Sequence, residues 1–386
     1  MCGIAGFLGD FEQSLLERMN ESLAHRGPDD SGTLHQDDKR LGLTHRRLSI
    51  IDLSERGHQP MWDKTRSVVI VFNGEIFNYR EWRATLESEG VEFQSDSDTE
   101  IILNLYLKYG EGVLSRLNGM FAFGLWDTRD DSLLVARDGV GGKPRYYSES
   151  DRGFIFSSEI KALLQSEHVD RSLDLSAIHH YMTYLWCPAP MTMLKSVKKL
   201  EPGHAMVVRG GKIVKRWSFY DLPLDQAITP MPREEAKNLV REAVQTAVER
   251  QMVSDVPVGA LLSGGLDSSA IVALAKRDLP DIKCFTIDIE GGPDAGSEND
   301  LPYAKLVANE LDVPLEVVTV DPSMFAYDIE KMVYMLDQPQ ADPAALNVLY
   351  MSQLALVVGC IALSWRAGRF CFWEPLTADR GGRRSS

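Results

Sequence analysis

Met1-Cys2-Gly3-Ile4-Ala5-Gly6-Phe7-Leu8 opens the chain, and the reading of this stretch decides the first half of the fold. Cleavage of Met1 leaves a cysteine that carries a thiol and a free α-amino group on one residue. An α-amine titrates near ~8 and a free thiol near ~8.5, so a neutral amine held beside the sulfur takes its proton at cellular pH. Ile4-Ala5 with Phe7-Leu8 reads as a short buried strand that fixes the residue in place.

Outward from there, Phe11, Leu15, Leu16, Met19 and Leu23 recur at helical spacing and predict an amphipathic helix beside that strand. His25-Arg26-Gly27-Pro28-Asp29 closes it in a turn. Leu43 to Asp52 reads as a strand on which Arg47 is either a surface arginine or a fork for a carboxylate. Val68 to Phe72 is an apolar strand that runs into Asn73-Gly74-Glu75. Asn-Gly at that point either turns a hairpin or sets Asn73 and the Gly74 amide at an oxyanion hole. Asp96 to Glu100 precedes Ile101, Ile102, Leu105 and Tyr109, so the acids cap a helix, while Asp98 can equally face a substrate ammonium group.

The 386 residues are enough for two domains of ordinary size, with 44% hydrophobic and 25% charged residues as in globular proteins. With 41 basic against 56 acidic residues the net charge of −15 argues against a nucleic-acid groove built on bulk charge. Cys2, Cys187, Cys284, Cys360 and Cys371 form no CxxC pair and no metal-spaced cluster, which points to a reducing compartment. No secretory signal opens the chain and no run approaches the ~18 apolar residues of a membrane span, so a cytoplasmic protein without membrane contact is expected.

Met1 to Gly6, His25 to Asp29, Arg47 to Ile50, Asn73 to Asn78 and Ser97 to Glu100, in that order, resemble the class II glutamine amidotransferase domain, an N-terminal-nucleophile glutaminase. The resemblance implies a four-layer αββα fold. It further implies that Cys2 attacks the glutamine side-chain amide, that Asn73 and Gly74 stabilise the oxyanion, that Arg47 holds the substrate α-carboxylate, and that Glu75 and Asp98 hold its α-ammonium. Gly119 to Asp127, Leu133 to Asp138, Lys143 to Tyr147 and Phe156 to Leu163 resemble the same domain. Gly142 and Arg145 stand where it usually has a bulky and an apolar residue, which predicts a softer loop. The hairpin Ala205 to Trp217 ends this domain, set at 1–210, and Pro223, Pro230 and Pro232 mark a linker.

In the second half, Glu234 to Met252 has helical periodicity, and Val256 to Leu262 is a β run feeding Ser263-Gly264-Gly265-Leu266-Asp267-Ser268-Ser269 and another helix. A strand, a Gly-rich turn and a helix put backbone N–H groups where they can cradle phosphate, without the Gly-Lys-Ser/Thr ending of a Walker loop. Strands at Cys284–Ile289 and Leu315–Val320 flank a helix at Tyr303–Leu311, which predicts a parallel sheet. The loop resembles the pyrophosphate loop of ATP pyrophosphatases. By that resemblance Leu262 and Ile287 flank adenine and ribose, Ser263, Gly264, Gly265 and Ser268 hold phosphates, and Asp267 helps bind Mg2+. Asp337 to Pro343 resembles a segment near the acceptor site.

The two halves together resemble glutamine-hydrolysing asparagine synthetases, an α/β and α+β two-domain class with a partial doubly wound parallel sheet at 231–356. The implied partners are glutamine, aspartate and ATP, in a homodimer. In that family ATP adenylates aspartate, and ammonia passes through an internal tunnel to displace AMP. Alternatives are a relative that amidates a sugar acid, and a chain with glutaminase activity only. After residue 356 the resemblance fades. The stretch 357–386 holds two of the seven Trp, two of the five Cys and five Arg, the composition expected of an out-of-frame translation.

Overall fold

The computed structural model describes residues 1–222, 224, 230–290, 300–341 and 344–360, with the backbone of 362–364. Two compact units divide the chain: Met1–Asp221 with Val333–Pro343, and Leu222–Met332 with Ala344–Cys371.

The first unit contains, in chain order, β1 (Gly3–Gly9), α1 (Gln13–Ser22), β2 (Asp30–Gln36), β3 (Leu41–Arg47), β4 (Met61–Trp62), β5 (Val68–Ile76), α2 (Tyr79–Ser88) and α3 (Asp98–Tyr109). It continues with β6 (Gly119–Asp127), β7 (Ser132–Arg137), β8 (Tyr146–Ser150), β9 (Gly153–Ser157), α4 (Ile160–Leu163), α5 (Leu175–Tyr184), β10 (Lys198–Lys199), β11 (His204–Arg209) and β12 (Lys212–Ser218). The strands form two antiparallel sheets, ordered β10-β8-β9-β1-β3-β2 and β12-β11-β7-β6-β5-β4.

Period-two alternation explains why β1 is buried on both faces. Ile4 and Leu8 point into the core between the sheets, against Leu43, Val71, Trp126, Phe154 and Phe156. Ala5 and Phe7 point the other way, onto Leu15, Leu16 and Met19 of α1 and Ile160 of α4. The αββα layering is therefore written in the apolar run itself, and each layer of helix covers a face that water would otherwise wet.

Two expectations change. The strand over Leu43–Asp52 ends at Arg47, because residues 48–54 leave the sheet and curl around the Arg47 guanidinium. Asn73-Gly74 makes no turn: β5 runs straight through it, pairing Asn73 with Ala122 and Gly74 with Phe121 of β6. A Cβ at Gly74 would lie 2.3 Å from Met120 O, so the neighbouring strand requires glycine there.

The second unit contains α6 (Arg233–Gln251), β13 (Val258–Leu261), α7 (Leu266–Asp278), β14 (Lys283–Ile289), α8 (Leu301–Leu311), β15 (Leu315–Val320), α9 (Ser323–Leu336), α10 (Ala344–Val357) and β16 (Ala362–Ser364). The last turn of α9 belongs with the first unit. Its sheet is wholly parallel in the order β15-β14-β13-β16. From β13 the chain winds outward through α7 to β14 and through α8 to β15, then returns to pair β16 on the other side of β13. That reversal is the switch point of a doubly wound sheet, the place where ligands of such sheets bind. Strand β16 falls inside the stretch 357–386; the rest of that stretch after residue 364 lies outside the described residues, as do Pro223, Asp342 and Pro343.

Candidate functional site

Cys2 sits at the mouth of β1, where strand pairing and a buried ion-pair cluster fix it. Its Sγ accepts the Leu48 N–H at 3.5 Å and lies 3.7 Å from Leu48 O. Its carbonyl accepts from Arg26 Nε at 3.0 Å. Arg26 Nη1 in turn donates to Glu159 at 2.8 Å, and His25 and Lys161 reach the same carboxylate at 3.0 and 2.6 Å. Burial opposes ionisation of Glu159, but Arg26, His25 and Lys161 outweigh it and hold the group well below the usual carboxylate range.

Burial pushes the Cys2 thiol up, against the downward pull of the terminal amino group, the Leu48 N–H, Lys143 and Arg47. The sulfur therefore needs help to ionise, and cations surround it.

Asn73 is 1% exposed, and its Nδ2 has no hydrogen-bond partner. A buried donor left unmade costs about 1–3 kcal/mol, so the orphan amide calls for an explanation. Two residues along, Glu75 is pushed up by burial and pulled down by Lys143 and the terminal amino group. Asp98 stands at the start of α3, behind the Ser97 cap that accepts from Thr99 N, and accepts from Ile76 N at 2.9 Å. Burial lifts it to about 7, and the negative charge of Glu75 adds to the lift although backbone N–H groups oppose it. A buried and a half-buried carboxylate that raise each other's charging cost are stabilised by a cation placed between them.

Arg47 is 6% exposed, and its terminal nitrogens donate to the carbonyls of Ser54, Ile51 and Asp52. Five guanidinium N–H donors are available, so these bonds orient the fork and leave donors for a carboxylate.

In the second unit, Ser263 to Ser269 leave β13 and enter α7. Leu262 is buried and donates to Phe285 O at 2.9 Å, which ties the loop's root to β14. Gly264 has φ +77°, and a Cβ there would lie 2.4 Å from the Tyr303 carbonyl carbon, so both conformation and space demand glycine. The Ser263 and Ser268 hydroxyls lie 3.1 Å apart, and Gly265 N donates to Ser263 Oγ at 3.3 Å. Gly265 caps α7 with no side-chain bond, and Asp267 is exposed in the first turn. Ile287 is half-buried on β14. Among the described residues no group of three His, Cys, Asp or Glu could hold a metal ion by itself, and no helix is long and apolar enough to cross a membrane.

Residues 1–220 match the family model of the glutamine amidotransferase domain, and residues 239–363 match that of asparagine synthase. A putative asparagine synthetase (glutamine-hydrolyzing) 2 of Methanocaldococcus jannaschii is 33% identical over 99% of this chain and 77% of its own length. The chain belongs to the glutamine-hydrolysing asparagine synthetase family. Asparagine synthetase (glutamine-hydrolyzing) 1 of Bacillus subtilis is 38% identical over 94% of this chain, and a putative asparagine synthetase of Mycobacterium bovis is 36% identical over 92%. The chain spans 57% and 55% of the length of those two relatives.

For this family member, sequence reasoning singled out Cys2, Asn73, Gly74, Glu75, Asp98 and Arg47. It missed the Arg26–Glu159 pair, whose partners are 133 residues apart, and it missed Lys143. Asp337, expected near an acceptor site, belongs to the first unit, where its carboxylate accepts from the Ile160 and Lys161 amides. The loop from Asp138 to Arg145 is anchored at its start. The Asp138 carboxylate accepts from the amides of Phe121, Val140, Gly142 and Lys143, and a Cβ at Gly142 would press on Met120 at 2.9 Å.

Proposed function

We propose that this chain, once Met1 is removed, hydrolyses glutamine at Cys2 and belongs to an enzyme that transfers the ammonia to an aspartyl adenylate made from ATP and aspartate. The product is asparagine, with glutamate, AMP and pyrophosphate. The observation that carries the glutaminase half is the buried Asn73 amide without a partner, on the strand that leads to the crowded Glu75 and Asp98. The Cys2 thiol attacks the side-chain amide carbon while the α-amine takes the thiol proton. Asn73 Nδ2 and the Gly74 amide meet the oxygen as its charge develops, a donor worth about 10²–10³ in rate. Glu75 and Asp98 take the α-ammonium and Arg47 the α-carboxylate. As the tetrahedral centre collapses, the α-ammonium of Cys2 returns the proton to the departing nitrogen, the C–N bond breaks and ammonia leaves; water then attacks the thioester, giving its proton to the amine and thence to the sulfur, and frees glutamate.

The ATP half rests on the open N-terminus of α7 and the paired Ser263 and Ser268 hydroxyls, where backbone N–H groups favour phosphate. Leu262 and Ile287 flank the adenine and ribose, and Gly264 and Gly265 let the backbone approach. Mg2+ takes one or two carboxylates plus phosphate oxygens, so Asp267 fits it without a preformed cage. The ion would screen the phosphate charge there. A cytoplasmic homodimer fits this reading.

The test uses Met1-processed protein. Glutamate released from glutamine, and lost by at least about 10³-fold in Cys2→Ala, supports the first half. AMP and asparagine formed from ATP, Mg2+, aspartate and ammonium chloride support the second. No glutamate release from the wild-type chain sinks the glutaminase reading.

A further inference from the structure

Lys143 is 8% exposed, on the loop that Asp138 pins. Arg137 Nε bonds its carbonyl at 2.6 Å, so the residue is held from both sides of its backbone. Its ammonium group donates to Met1 Sδ. A thioether is a weak acceptor, poorly matched to a buried cation with three donors. The same ammonium acts electrostatically on both the Cys2 sulfur and the Glu75 carboxylate. Met1 is the residue that must leave for Cys2 to gain a free amine, and its departure takes away that sulfur.

We propose that Lys143 is a positioning residue of the glutaminase site, its ammonium group released from Met1 and held between the Cys2 sulfur and the Glu75 carboxylate. Toward Cys2 it favours the thiolate. Toward Glu75 it keeps the carboxylate ionised and aimed where the substrate ammonium arrives. Other charges that face the sulfur are the terminal amine, Arg47 from the end of β3, and Arg26 on the Cys2 carbonyl; Glu75 faces Asp98. Arg47 is held by loop carbonyls and Arg26 by the Cys2 carbonyl and Glu159, partners that stay when Met1 goes; Lys143 is the cation whose held partner is lost with Met1. This rests on the reading of Cys2 as the nucleophile, and its test does not require turnover.

Met1-processed wild type, Lys143→Met, Lys143→Gln and Lys143→Arg are treated with iodoacetamide from pH 5.5 to 10, and Cys2 alkylation is counted by mass spectrometry of the N-terminal peptide. Alkylation follows the thiolate fraction. Loss of the cation should move the midpoint up by about one pH unit and slow alkylation at pH 7 about five- to tenfold, and Lys143→Arg should restore most of the rate. Lys143→Gln serves where Lys143→Met lowers the melting temperature. Profiles that superimpose on wild type in a folded Lys143→Met or Lys143→Gln protein overturn the proposal. A wild type that shows the expected profiles yet releases no glutamate refutes the glutaminase reading and leaves Lys143 standing.

Discussion

Replacing Asp98 by asparagine should stabilise the protein at alkaline pH while it weakens glutamine use. In the folded protein the Asp98 carboxyl is lifted from 3.8 to about 7, first by burial and then by Glu75, with the Ile76 and Thr99 amides opposing. A carboxyl with a raised folded pKa costs stability when ionised. The unfolded chain loses its proton near 3.8 and the folded one near 7, so the penalty accumulates across that window and is complete above about pH 7. At ~1.36 kcal/mol per pH unit the penalty is about 2 kcal/mol at pH 5 and about 4 kcal/mol at pH 8.5. The asparagine side chain bears no charge at either pH, so the advantage of Asp98→Asn over wild type should grow by about 2–3 kcal/mol between them. Urea unfolding followed by tryptophan fluorescence measures this. Trp126 is 1% exposed in the core of the first unit and reports its loss. With an m-value of about 3 kcal/mol/M, the gap between midpoints should widen by about 0.7–1 M between pH 5 and pH 8.5. Midpoints that change in parallel would show that Asp98 is not held in a charge-averse site, and the ammonium-receptor argument would fall with it.

The same carboxyl sets an activity prediction. The kcat/KM for glutamine should decline as pH falls through about 7, as Asp98 takes up a proton and the receptor loses charge, and Asp98→Asn should flatten that limb. Asn73→Ala should lower kcat for glutamate release about 10²–10³-fold with little change in KM, because its Nδ2 has no partner in the resting protein; a loss confined to KM would reassign Asn73 to ground-state binding. Arg145→Leu should raise the urea midpoint. Arg145 is fully buried with three unpartnered nitrogens over the Phe156 ring at 4.4 Å, and burial with Arg137 nearby pulls its pKa from 12.5 to about 9. Apolar replacement of such a charge gains about 1–4 kcal/mol, and a lower midpoint would mean the stacking on Phe156 outweighs the desolvation.

The residues proposed for the glutaminase site could be named from the sequence because the chemistry is local. Cys2 needs only a chain start, and Asn73, Gly74, Glu75 and Asp98 fall within two short stretches whose residue types match one substrate's carbonyl and ammonium groups. The strand through Asn73-Gly74 was not legible, since a local turn signal loses to a full ladder with β6 that only the fold supplies. Gly74 illustrates the same limit: Met120 O on the next strand leaves no room for a Cβ there, a constraint that only the fold reveals. The Arg26–Glu159 pair and Lys143 were invisible for another reason. Their partners are 133 and 142 residues distant, and no spacing rule spans such a gap.

Buried groups without partners occur in two kinds here, and telling them apart is what separates a site from a cost. Asn73 Nδ2 is an orphan donor. On the same strand is Glu75, and Asp98 accepts from the Ile76 amide next to it; both carboxyls are pushed toward neutrality, and Lys143 acts electrostatically on both Glu75 and Cys2. On the proposed reading, donor, anions and nucleophile have complementary deficits that one zwitterionic amide relieves together: an oxygen for Asn73, an ammonium for the carboxylates, an electrophilic carbon for the sulfur. Arg145 is also an orphan, yet its neighbours are the Phe156 ring and a second guanidinium, and among the described residues no group beside it has the opposite need. An unsatisfied group implies a ligand only when the groups around it are unsatisfied in the matching sense. By that criterion the Cys2 end of β1 fits the binding site proposed for it, and Arg145 is a burden that its neighbouring core must offset.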